Sequence, residues 1–221
     1  MLLYLVKYSR PDIANSVREL AKVMDGAGKT DYQRLLRTIK YILDTKHKSL
    51  FMDFSTVKES PKIHITAYCD SDYAGDSETR KSVTGFLINL NGLPISWRSK
   101  GQKTVTLSST EAEYIALSEL ICELKYLQQV LEFLEEDIQL PMIVRVDNAS
   151  AIYLANNWVL GNRTKHIEVR HHFVREYQEN GIVKIIFIAG LENDADLFTK
   201  NLQGPLYTKH SGKLVKDRDI S

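Results

Sequence analysis

Apolar residues recur at helical spacing twice near the start of the chain. In "SRPDIANSVRELAKVM", Ile13, Val17, Leu20, Ala21 and Met24 form one stripe, and Pro11 suits a first helical turn. "DGAGK" breaks that helix. "TDYQRLLRTIKYILDT" then resumes with Leu35, Leu36, Ile39, Ile42 and Leu43 on one face, which predicts a helical pair within residues 9–46. After a connector, "HKSLFMDFSTVKESPK", the period shortens to two. Strands are predicted over 63–69, 83–90 and 93–98, with "NLNGLP" as a hairpin turn. A long helix over about 110–135 comes next, then a strand over 141–147 and a short helix in "NASAIYLANN". Residues 164–179 read as helical, 181–188 as extended, 193–202 as helical, and the polar tail from Gln203 as loose. The order βββ-α-β-α-α-β-α after residue 60 predicts an α/β fold, a mixed sheet flanked by helices.

Composition narrows the class. With 221 residues, 43% apolar and 26% charged, the chain has enough apolar material for a packed core, and disorder is not expected. Lys and Arg number 29 against 28 Asp and Glu, so affinity for nucleic acid has to come from local basic clusters. Cys69 and Cys122 are too few for a disulfide framework. Both lie in apolar stretches and are expected to be buried thiols. The apolar start, Met1–Val6, is shorter than the ~7–15 residues of a secretory core. No run reaches the ~20 residues of a membrane span. The expected location is therefore intracellular, in the cytoplasm or nucleus.

Several carboxylates sit where the pattern does not want them. "ITAYCDSDYAGD" begins as a strand and ends in Asp70, Asp72 and Asp76, which suit either a turn or a hard metal ion. In the long helix the stripe Leu117, Leu120, Leu124, Leu127 and Leu131 extends back to Glu113. Glu111 lies about 200° round from Glu113 and has a capping partner in Ser108, three residues earlier. A carboxylate on the sheet-facing stripe needs a cation or a donor, so Glu113 is either a satisfied structural group or a ligand. Asp147 closes an apolar strand just before a helix, where it can cap that helix or bind a ligand at the strand's carboxyl end. Asp194 and Asp196 can complement the start of the last helix. These positions fall at the edges of one predicted sheet.

The blocks "YCDSDYAGD", "RKSVTGFLINLNGLPISWRSKGQKTVTLSSTEAEYIAL", "VDNASAIYLANN", "NRTKHIEVRHHFVRE" and "ADLFTKNL" resemble, in order, the ribonuclease H domain of Ty1/copia-type retrotransposon Pol polyproteins. Residues 1–50, with "YLVKYSRPDI", resemble the tail of the reverse transcriptase that precedes it. The resemblance implies a helical remnant over 1–50, a connector over 51–62, a ribonuclease H-like domain over 63–203 and a loose tail over 204–221. Residue by residue, it implies that Asp70, Glu113, Asp147 and Asp196 are the catalytic, metal-binding carboxylates, with Asp194 the lesser choice beside Asp196. "NNWVLGN" departs from the usual pattern, with Trp158 and Gly161 where Pro and His are frequent.

The same resemblance implies an activity, hydrolysis of the RNA strand of an RNA–DNA hybrid. It would use two Mg²⁺ ions about 4 Å apart, Mn²⁺ being a substitute. An all-oxygen ligand set suits those ions. Backbone contacts to the hybrid fall by resemblance to Arg98, Lys100 and Lys103 in "SWRSKGQK" and to Arg163, Lys165 and His166 in "NRTKHI". Reverse transcriptase is a further implied partner. His171 and His172 are surface positions or proton shuttles. A second resemblance points elsewhere: Arg34-Leu35-Leu36-Arg37 matches the R-x-L-R motif of secreted oomycete effectors, which implies export, entry into a plant host cell and action on host proteins. On a helix the same residues read as Leu inward and Arg outward.

Overall fold

A computed structural model describes residues 1–52, 54, 61–156 and 165–217, with backbone alone for 165–169 and 171. The chain forms two compact units, Met1–Met52 with Lys200–Ser221, and Asp53–Thr199. In the first, α1 (Leu2–Tyr8) leads through a 3₁₀ turn, Pro11–Ile13, into α2 (Ala14–Lys22). Then come α3 (Lys29–Asp44) and the short β1 (Lys48–Leu50). Pro11 stands at the start of the 3₁₀ turn, where its missing N–H is no loss. Ile13, Ala14 and Val17 are buried.

The predicted apolar face of α3 is only partly used. Thr38 is its one buried residue, whereas Leu36 is 47% and Leu43 62% exposed. Leu36, expected to point inward, lies about 160° round the helix from Thr38. The unit is small enough to cover one side of α3 and not the other.

The Asp53–Thr199 unit holds a five-stranded sheet. Its strands are β2 (Ile63–Asp72), β3 (Val83–Leu90), β4 (Leu93–Gly101), β5 (Ile138–Val146) and β6 (Val183–Phe187), in the spatial order β4-β3-β2-β5-β6. The first three form an antiparallel meander, and β5 and β6 join parallel to β2. The expected mixed sheet with flanking helices is therefore present. Between β4 and β5 runs α4 (Ser109–Phe133). Between β5 and β6 lie α5 (Ala149–Asn156) and α6 (Lys165–Glu179), and α7 (Asp196–Thr199) ends the unit.

One face of the sheet is the core. Ile65, Ala67, Cys69, Phe86, Ile88, Val144 and Val146 pack there with Leu117, Leu120, Ile121 and Leu124 of α4. Residues 112–118 of α4 are buried without exception, as expected of a helix enclosed on all sides. Its second half turns outward, which exposes Cys122, expected to be buried; Cys69 is fully buried. Cys122 follows Leu120 by two residues and so lies on the far side of the helix. Strand alternation puts Gly85 on the opposite face from Phe86. There α7 packs over it, and a Cβ at Gly85 would meet Thr199 Cγ2 at 2.5 Å and Ala195 O at 3.1 Å. Of the helix predicted over 193–202 only α7 forms, preceded by a 3₁₀ turn at Gly190–Glu192.

After α7 the chain returns to the first unit as α8 (Gly204–Leu214) and β7 (Val215–Asp217). Residues 204–217, part of the tail expected to be loose, thus form a helix and a strand. Pro205 stands in the first turn of α8, and β7 pairs antiparallel with β1, from Lys48–Asp217 to Leu50–Val215. No periodic pattern over three residues announces such a strand; it exists because β1 supplies its partner.

Candidate metal centre

The parallel register fixes the centre of the site. Cys69 of β2 pairs with Val146 of β5, so the next residues, Asp70 and Asp147, emerge side by side at the carboxyl ends of neighbouring parallel strands. From β2 the chain proceeds to β3 on one side, and later to β5 on the other. That reversal opens the crevice where α/β sheets bind ligands. β2 itself continues in register with β3 as far as Asp72, so Asp70 is inside the ladder rather than at its last position. Its partner there is Gly85, and cross-strand partners share a face.

Glu113 arrives from α4. Ser108 caps that helix by accepting from the Glu111 N–H at 3.1 Å, and the Glu111 carboxylate accepts from the Leu107 N–H at 2.8 Å. Gln102, buried at the end of β4, fastens the first turn from the sheet side. Its side-chain amide donates to Ala112 O at 2.9 Å and to Thr84 Oγ1 at 3.2 Å. These anchors direct Glu113 inward, where Oε1 accepts the Ser71 N–H at 3.2 Å. Oε2 is buried and has no hydrogen-bond partner among the described residues.

Ligand oxygens of Asp70, Glu113 and Asp147 lie within 4.8 Å of one another. Burial, together with the charges of Asp70 and Asp147, pushes the Glu113 carboxyl well above its usual range. At the start of α5 the Asn148 side-chain oxygen accepts the Ala151 N–H at 2.9 Å, a capping bond of the kind the sequence also offered to Asp147. A Cβ at Gly190 would sit 3.2 Å from Asp147 Oδ2, and its absence leaves that carboxylate room. Cys69 is buried behind the group with its thiol pKa pushed up by burial first and by Glu113 next, so it stays a neutral neighbour.

Asp196 opens α7 and is 6% exposed, but the structure does not bring it into the group of three. What α7 brings is Thr199, whose hydroxyl hydrogen-bonds Asp70 Oδ2. Just before α7, the buried Asn193 donates from its side-chain amide to Cys69 O at 2.9 Å. Neither residue stood out in the sequence. Both bonds span more than a hundred residues, and the one available signal was that Thr199 lies in the "ADLFTKNL" block. Of the basic candidates, Arg98 forms an ion pair with Glu123 at 3.0 Å and lies 5.0 Å from the Phe86 ring centroid. Lys100, Lys103 and His172 are exposed. Arg163, with Trp158 and Gly161, lies outside the described residues. The side chains of Lys165, His166 and His171 do too. Arg34 and Arg37 are exposed on α3, and Arg34 approaches Asp31 at 3.5 Å.

An antiparallel meander extended by two parallel strands, with acidic groups gathered at the carboxyl ends of β2 and β5 and on the helix crossing them, defines an α/β domain of the ribonuclease H-like class. No protein-family model matches the chain. It is 38% identical over 199 residues to a retrovirus-related Pol polyprotein from transposon TNT 1-94 of Nicotiana tabacum, a match that covers 90% of this chain and 14% of that protein. It is 42% identical over 127 residues to secreted RxLR effector protein 161 of Plasmopara viticola, covering 57% of this chain and 85% of the relative. Among solved structures, a ribonuclease H1 isolated from compost superposes with a TM-score of 0.47 at 17% identity, over 63% of this chain and 94% of that one. Over about 90% of its own length the chain is thus homologous to Ty1/copia-type retrotransposon Pol polyproteins, and it spans about a seventh of the length of the polyprotein relative. Among the described residues no helix is long and apolar enough to cross a membrane.

Proposed function

We propose that the Asp53–Thr199 unit is a Mg²⁺-dependent endonuclease that cleaves the RNA strand of RNA–DNA hybrids inside the cell. The observation that supports it above others is Glu113, a carboxylate with one buried oxygen lacking a hydrogen-bond partner among the described residues and with Asp70 and Asp147 for neighbours. Like charges at that spacing are stable together only if they are protonated or share a cation. The donor set is all carboxylate oxygen, which suits a hard ion such as Mg²⁺ or Mn²⁺. Asp70, Glu113 and Asp147 would hold the metal, with Asp196 the further ligand that the family resemblance supplies. Bound there, divalent ions supply Lewis-acid activation of water and stabilise the leaving oxygen of a phosphodiester. The chain's own part is to hold the acidic groups rigidly: Asp70 in the β2 ladder, Glu113 by the anchored first turn of α4, and Asp147 beside the open space at Gly190. Lys100, Lys103, Arg163, Lys165 and His166 are the proposed contacts to the hybrid backbone, with Arg98 once it leaves Glu123.

Incubating the pure, folded chain with a labelled RNA–DNA hybrid and Mg²⁺ tests this reading. Cleavage that disappears in Asp70→Asn and in chelator is the expected result; no cleavage by the folded wild-type protein overturns it.

The Plasmopara viticola relative, which this chain matches over most of that protein's length, favours a second reading. In it the chain is exported, enters plant cells through Arg34-Leu35-Leu36-Arg37 and acts on host proteins without catalysis. Secretion of a tagged chain, with host entry lost on changing Arg34 and Arg37 to Ala, would support it. Retention in the producing cell would end it.

A further inference from the structure

We propose that Thr199 is a positioning residue for Asp70, holding one oxygen of that carboxylate so that the other is presented to a divalent cation; the proposal rests on the metal-dependent reading above. Thr199 is 2% exposed, and its hydroxyl carries a single proton. Two acceptors are in reach of it, Asp70 Oδ2 and Asp196 O, the latter at 3.3 Å. The carboxylate is the charged acceptor and makes the stronger bond, so the proton goes to Asp70.

The rest of the side chain is equally constrained. Its methyl group lies against Gly85, the strand partner of Asp70, at a separation that leaves no room for a Cβ on that glycine. The β-branched side chain is thus wedged between two neighbours. The methyl rests on the sheet and the hydroxyl points at the carboxylate, with few alternative rotamers. Asn193 secures the other end of the same segment by its bond to Cys69 O, one residue before Asp70. Ordinary helix chemistry calls for none of this, because a four-residue helix needs no buried hydroxyl bonded across to a strand.

A donor to one carboxylate oxygen does two things. It stops the group rotating away from neighbours of like charge, and it commits the remaining oxygen to the cation. Outer-shell bonds of this kind are worth roughly 10–100-fold in metal affinity.

The branched side chain lets the two contributions be separated. Thr199→Val keeps the shape and the methyl contact but removes the donor, whereas Thr199→Ser keeps the donor and removes the methyl. Binding of Mn²⁺ alone to the full chain, followed by electron paramagnetic resonance, gives a readout independent of cleavage. The expected result is roughly 10–100-fold weaker binding in Thr199→Val, with wild-type affinity in Thr199→Ser. Wild-type affinity in the Val variant, or equal weakening in both, would mean that Thr199 serves packing alone. If the Val variant lacks a cooperative thermal transition, Thr199→Ala takes its place against Ser. A wild-type chain that binds no Mn²⁺ overturns the metal reading itself and this proposal with it.

Discussion

Each of the two units buries a carboxylate, and each deals with it differently. In the Met1–Met52 and Lys200–Ser221 unit, Asp12 is 3% exposed and meets a complete set of partners. Arg10 forks onto both its oxygens at 2.9 and 2.8 Å, and the Tyr41 hydroxyl donates to it at 2.9 Å. Thr45 accepts two further guanidinium N–H bonds, and Tyr207 donates to the Asp12 carbonyl at 3.2 Å. In the Asp53–Thr199 unit, Glu113 is 6% exposed, with one backbone donor and two acidic neighbours. A buried acid that brings its own cation holds structure together. One surrounded by acids waits for a cation from outside.

That contrast breaks most sharply under substitution. Asp12→Asn leaves the Arg10 guanidinium buried without its counter-charge, and should destabilise the first unit by about 3–5 kcal/mol. Glu113→Gln removes both the burial penalty and the repulsion, so it should leave the metal-free chain at least as stable as wild type while abolishing hybrid cleavage. Urea unfolding in chelator measures both. A Glu113→Gln variant as damaged as Asp12→Asn would make Glu113 a structural group like Asp12.

The next effect is smaller and depends on pH. The Glu113 pKa is raised in the folded state, so as pH climbs past the ordinary Glu value of 4.5 the unfolded chain releases its proton first. Stability from this group is therefore full at low pH and declines from about 4.5 up to the raised folded value. Divalent metal should cancel the decline, because it binds the ionised folded form; at a hundredfold excess over the dissociation constant it adds about 2.7 kcal/mol. Thermal melts across pH, with Mg²⁺ and with chelator, should diverge as pH rises. Parallel curves would mean that no cation neutralises the group.

The sequence pattern was enough for parts of this and not for others. The helical stripe alone separated Glu113 from Glu111, and the apolar run placed Asp147 just past the end of its strand, because both depend on local pattern; Asp70 was expected at a strand end but lies two residues inside β2. Whether Asp147 or Asn148 caps α5 is decided by side-chain geometry that two adjacent capping residues cannot reveal. Thr199, Asn193 and the return of β7 to β1 are contacts between distant segments with no period of their own. Leu36 followed the apolar pattern faithfully and is still exposed, since a pattern shows which face could be covered and not whether a neighbour covers it.

The smallest effect separates two glutamates on one helix. Ser108 and Glu111 form a reciprocal cap in which the hydroxyl accepts one backbone N–H and the carboxylate another. Ser108→Ala should cost about 1 kcal/mol of stability, the usual worth of such a cap. Cleavage should nevertheless persist, because Gln102 still holds the turn through Ala112 O, one residue before Glu113. Glu113→Gln is expected to behave in the opposite sense, with stability kept and cleavage lost. The decisive measurement is each variant's urea midpoint set beside its cleavage rate. If Ser108→Ala lost activity out of proportion to its stability, the cap would be aiming Glu113 directly. The division between polar groups that hold α4 and the one that α4 delivers would then fail at the helix's first turn.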